Sequence, residues 1–118
     1  MAQSEHRSFE KSDEVRSFEH GRVELLHIGG SEVGRFTLEP GWRWSENVKP
    51  IVGTDWCEAS HFAYQLSGRL HVQMKDGAEF EIGPGDVSAL PPGHDAWVAG
   101  DEAVVTIDWT GASNYAQQ

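Results

Sequence analysis

Cysteine is almost missing from this chain: Cys57 is the single one in 118 residues. That excludes an intramolecular disulfide framework and fits a reducing compartment. Positive charge is scarce as well. Nine Lys and Arg face 19 Asp and Glu, a formal net charge of -10. Such a field repels phosphate backbones and anionic lipid, so neither nucleic acid nor a membrane surface is an expected partner. No run approaches the ~20 apolar residues of a membrane helix. The hydrophilic start, Met1 to Val15, lacks the apolar stretch of a secretory signal, so the expected location is the cytoplasm. A CxxC pair, a phosphate-cradling glycine loop and a Ser-His-Asp order are all missing. Glycine is plentiful, with 13 residues, alongside five prolines and five tryptophans. Many short elements joined by tight turns use glycine and proline in this way.

The apolar pattern divides the chain into an N-terminal arm, 1–20, and a single domain, 21–118. Phe9, Val15 and Phe18 support no helical stripe, so the arm is expected to be loose or strapped onto a partner. Strand patterns follow at 22–28, 32–39, 60–66, 69–75, 78–82, 86–90, 95–99 and 103–109. Their separators are glycine and proline clusters, with Asp76-Gly77 predicting a two-residue type I′ hairpin turn. The segment from Trp42 to Cys57 has no clear alternation, and whether it covers a pocket is left open by the pattern. Short strands at even spacing predict an all-β antiparallel sandwich or barrel.

Three pieces in order resemble the cupin family: Tyr64-x-Leu66-x-Gly68 with the strand and hairpin after it, Gly83-Pro84-Gly85-Asp86, and Leu90-Pro91-Pro92-Gly93. They match the glycine and proline frame of the two cupin motifs over roughly Val33 to Trp109. The resemblance implies a jelly-roll β-barrel of two antiparallel sheets, commonly a homodimer, with a central pocket that often holds a divalent metal. The motif's ligand positions have changed. Its two first histidine positions fall on Asn47 and Lys49, its glutamate on His61, and the histidine of the second motif on Ala96. Eleven residues separate Lys49 from His61 where the family pattern has three or four.

Side chains alternate across a strand, so His61, Ala63 and Gln65 share one face, and His94 can share a face with Ala96. If the family's pocket is kept, His61 and His94 are candidate imidazole ligands for Fe, Mn, Ni or Zn. Glu46, Asn47 and Asp95 are candidate third ligands. Asn47, Lys49, Gln65, Trp44 and Ala96 are candidate pocket residues for a small-molecule ligand. His71 shares the parity of Gln73 and Lys75 and reads as solvent-facing, and Trp97 as packing on the side opposite Ala96. Cys57, with no basic neighbour in sequence, reads as an inert small residue. Two functions remain open on these grounds. One is a metal-dependent oxygenase, isomerase or lyase acting on a small organic molecule. The other is a metal-free cupin that binds a ligand without catalysis.

Overall fold

A computed structural model describes residues 3–112 and 115–117. Among these residues nine strands form two antiparallel sheets. The larger runs β1-β2-β3-β9-β4-β7 and the smaller β6-β5-β8. The strands are β1 Glu14–Phe18, β2 Gly21–Ile28, β3 Ser31–Leu38, β4 His61–Ser67, β5 Arg69–Met74, β6 Glu79–Ile82, β7 Val87–Leu90, β8 His94–Ala99 and β9 Val104–Asp108. The two sheets face each other as the expected two-sheet jelly roll, without closing into a hydrogen-bonded barrel. Among the described residues the isolated bridges Arg43–Trp97 and Cys57–His94 tie the connecting segment to β8.

Alternation decides what lies between the sheets. Val23 and Leu25, Phe36 and Leu38, and Val104 point inward from the larger sheet, opposite Val72, Ile82, Ala96 and Val98 of the smaller one. The register fixes the neighbours that matter for function. His61 pairs with Leu90, and Ala63 pairs with Asp108.

Two expectations about local structure change. Glu14–Phe18, read as part of a loose arm, is instead the edge strand β1, paired with β2 from Glu14–Leu25 to Phe18–Gly21. The strand escapes a pattern search because it buries little: Val15 is 54% exposed and Phe18 only half-buried. The hairpin at Asp76-Gly77 is not type I′. Met74 N donates to Ala78 O and Gly77 N to Met74 O, so the loop has three residues, and only Gly77 has a positive φ, 98°. A glycine in that conformation after an ordinary turn produces the three-residue hairpin.

The segment after β3 makes two single turns of helix, α1 Trp44–Asn47 and α2 Lys49–Val52. Pro50 suits the first turn of α2 because no helical N–H is lost there. Gly53, at φ 80°, ends it in the left-handed conformation. Trp42, Trp44 and Val48 are buried by these turns, which bring the segment over one end of the space between the sheets. The chain after β9 covers the same end. Gly34 leaves room for Ala112, whose Cβ lies 2.5 Å from where a Gly34 side chain would begin. A side chain at Gly111 would collide with the Ser60 carbonyl. Arg16 of β1 then clamps the tail by donating to the carbonyls of Tyr115 at 2.9 Å and Ala112 at 3.5 Å.

Candidate metal centre

Three chain segments meet at the covered end. His61 opens β4, His94 opens β8, and Cys57 lies just before β4. Cys57 is held against the Gly93–His94 turn by its own backbone. Its N–H donates to His94 O at 2.8 Å, and its carbonyl accepts from Gly93 N at 2.8 Å. The side-chain donor atoms of Cys57, His61 and His94 all lie within 4.8 Å of one another. The reading of Cys57 as inert is therefore corrected. Its basic partners are far away in sequence, and only the antiparallel bridge to His94 brings them together.

Each imidazole is oriented from behind. His94, 3% exposed, has Nδ1 at 2.9 Å from the Pro91 carbonyl. A carbonyl oxygen only accepts, so Nδ1 carries the hydrogen of this bond. His61 Nδ1 bonds Asp108 Oδ2, and Asp108 is 1% exposed. The other carboxylate oxygen of Asp108 accepts from Phe62 N at 3.3 Å and Thr110 N at 2.9 Å. A carboxylate held this way fixes both the tautomer and the ring plane of the histidine it faces.

Electrostatics follow from this packing. Burial opposes charge on His61, yet hydrogen bonds to Asp108 and to Cys57 outweigh it and lift its pKa to about 9. Burial likewise opposes the Cys57 thiolate, but hydrogen bonds from His61 and His94 bring its pKa down to about 6. Between those values the pair exists as thiolate and imidazolium. Tyr115 stands beside them, its ring 5.8 Å from His61 and edge-on to Phe36 at 4.7 Å. Burial pushes its phenol well above the ordinary value, so it stays neutral.

The centre borders two spaces. Inside, a cavity of about 60 Å³ is lined by His61, His94, Trp42, Trp44, Gln65 and Ala96, with other mostly apolar walls. Outside, Cys57 is part of the wall of a cleft of about 410 Å³, with Val48, Val52, Glu58 and Ala59. Trp44 and Tyr115 border both.

The remaining candidates from the sequence fall elsewhere or take other duties. Gln65, 2% exposed, spends its amide on the carbonyls of Gly68 and Ile82, both at 2.8 Å. Asn47 is outside the cavity lining, accepting from Arg43 N at 2.9 Å and donating to Glu19 at 3.1 Å. Lys49 is also outside it, with a 40% exposed side chain 3.8 Å from Asp55. Asn47 ends α1 and Lys49 begins α2, so both lie on the helical turns. Asp95, a candidate third ligand, accepts instead from Ser45 N at 3.1 Å and its own neighbour Ala96 N at 2.8 Å. Glu46 is exposed at the surface. His71 stacks on Trp97 at 4.5 Å on the outer face of the smaller sheet, paired with Glu79 at 2.7 Å.

No family model matches the chain, and no curated protein does either. Solved structures do. A Rhizobium leguminosarum bv. viciae protein of unknown function is 20% identical with a TM-score of 0.66, covering 92% of this chain and 97% of its own. An oxalate decarboxylase from Lactobacillus farciminis, in a formate complex, is 19% identical with a TM-score of 0.61 over 86% of this chain. This chain spans 32% of that enzyme's length. A cupin-like protein from Thermotoga maritima is 22% identical with a TM-score of 0.55, covering 83% of this chain and 72% of its own. The fold is that of a small cupin-type domain.

Proposed function

We propose that this domain binds one divalent metal ion on Cys57 Sγ, His61 Nε2 and His94 Nε2, and uses it to act on a small organic molecule. The observation that carries this is the convergence of three donors within 4.8 Å, with each imidazole fixed through its outer nitrogen. One thiolate and two neutral imidazoles suit zinc, nickel or iron, and fit poorly the oxygen-donor preference of manganese. When bound, such an ion supplies a Lewis acid with a coordination position left for ligand. The chain's own groups do the rest. Asp108 holds the proton at His61 Nδ1, the Pro91 carbonyl does so at His94 Nδ1, and apolar walls exclude bulk water. The Cys57 ligand must be reduced, which supports a cytoplasmic location.

The fold likeness to an oxalate decarboxylase makes small carboxylic acids the first compounds to assay. A homodimer belongs to the same reading. Phe62, Leu66, Val87 and Trp109, each at least 50% exposed, lie on β4, on β7 and just after β9 as an apolar surface for a second copy.

The test is elemental analysis of untagged protein purified without chelator, before and after incubation with zinc, nickel, iron and manganese. One ion per chain, lost in Cys57→Ala, supports the reading. Background metal throughout removes it, leaving the metal-free ligand binder, for which the mostly apolar cavity beside His61 and His94 is the supporting feature.

A further inference from the structure

One buried side-chain polar atom among the described residues has no partner: Trp42 Nε1. Trp42 is 3% exposed and forms part of the wall of the inner cavity. Its backbone is held at both ends, N–H to Glu39 O at 3.0 Å and carbonyl from Val98 N at 3.1 Å. Packed in the core, the indole cannot turn away without displacing its neighbours. An unpaired buried N–H costs about 1–3 kcal/mol. A phenylalanine would complete the apolar wall without that cost.

We propose that Trp42 Nε1–H is a binding donor for the molecule that occupies the inner cavity. The ligand is a compact acceptor with two ends, a carboxylate or similar group. One end faces the His61–His94 side and the other accepts from the indole. The cavity, about 60 Å³, is small, which favours a compact group over a ring. Phe36, Leu38, Leu70 and Leu90 offer no side-chain donor, and the Gln65 amide and Thr106 hydroxyl are already bonded to carbonyls, which leaves Trp44, Ser88 and Tyr115 as the other donors in the lining. The proposal rests on the metal reading for only one of its two anchors. Trp42 thus sets which end of the ligand points inward, and the volume sets how much of it enters.

The test follows the five tryptophan indole N–H signals by ¹⁵N–¹H NMR, with Trp42 identified from its loss in Trp42→Phe. Formate and azide are titrated into zinc-incubated and chelator-treated protein, with benzoate as an oversized comparison. The Trp42 signal is expected to move with formate and azide and stay in place with benzoate. Trp42→Phe should weaken formate binding about tenfold, the loss of one hydrogen bond, at unchanged zinc content. A Trp42 signal that moves in chelator-treated protein, with no zinc retained by the other sample, supports the indole anchor while removing the metal reading. A Trp42 signal that moves in neither sample overturns the indole anchor, even where zinc is bound stoichiometrically. If Trp42→Phe does not fold, Trp42 is identified in the wild type by sequential backbone-to-side-chain assignment, and the wild-type titration decides the matter.

Discussion

His61 and Gln65 stand four residues apart on the same face of β4, and both line the same cavity. Their neighbourhoods differ in kind. The Gln65 amide donates to two backbone carbonyls, Gly68 O and Ile82 O, so it pins the β4–β5 turn to the end of β6. His61 uses only its outer nitrogen for such a duty and turns the other toward Cys57 and His94. A buried polar group whose bonds end on backbone is a structural tie. A group of buried donors that face one another is a site, because each leaves the others' lone pairs available.

Substitutions at the two positions should separate those roles. His61→Ala should reduce retained zinc from one ion per chain to background, the largest effect expected anywhere in the molecule. Gln65→Leu should keep the ion and cost about 2 kcal/mol of stability, since two buried carbonyls lose their donor. Zinc content by elemental analysis and urea midpoints measure both. Loss of zinc in Gln65→Leu with little change in midpoint would reverse the assignment.

The proton inventory at the His61 end gives a second distinction. Between pH 6 and 9 the metal-free pair is thiolate and imidazolium, so binding an ion must displace the His61 proton. Affinity should rise about tenfold per pH unit across that window and level off above it. Below about 6, Cys57 must also lose a proton, and the dependence steepens. The linkage to stability has two signs. His61, raised above 6.5, contributes stability that is full below that value and lost as pH climbs through about 9. Cys57, lowered from 9.0, contributes stability present above that value and lost as pH falls through about 6. Across that window the loss at His61 is offset by the gain at Cys57, so the stability of the metal-free protein should change little with pH between about 6 and 9. Asp108→Asn removes the partner that raises His61, so the plateau should begin at lower pH. Affinity on that plateau should fall about 10- to 100-fold as ring orientation is lost. Competition with a chromophoric chelator across pH measures each curve. An unmoved plateau in Asp108→Asn would detach the carboxylate from the site.

Much of this was legible in the residues, for identifiable reasons. Eight strands announced themselves by alternation and by glycine-proline punctuation, because half-buried strands need both. The edge strand β1 did not, since Val15 and its neighbours bury too little to impose a pattern. Strand parity brought His61, Ala63 and Gln65 to one face, but parity says nothing of what each side chain bonds to. The duty of Gln65 to Gly68 and Ile82 was invisible for that reason. Cys57 was missed because its significance arises from a single bridge across 37 positions to His94, carried by an insertion without periodicity. Asp108, the carboxylate behind His61, sits one residue before the end of the last strand-like run. Nothing but the β4–β9 register brings it near.

The smallest predicted effect concerns the two residues standing where the family motif sets its first histidines. Asn47 bonds Arg43 N and Glu19, joining α1 to the chain just after β1. Asn47→Ala should cost about 1 kcal/mol, one or two partly buried hydrogen bonds, with zinc content unchanged. Lys49 has only an exposed ion pair with Asp55, the kind whose removal is seldom measurable, so Lys49→Ala should change neither quantity. The pair therefore serves as the reference for the whole comparison. If the ion is held by Cys57, His61 and His94, the motif positions carry structure alone. A fall in zinc content in either variant, at an unshifted urea midpoint, would mean that the insertion still sends a donor to the ion.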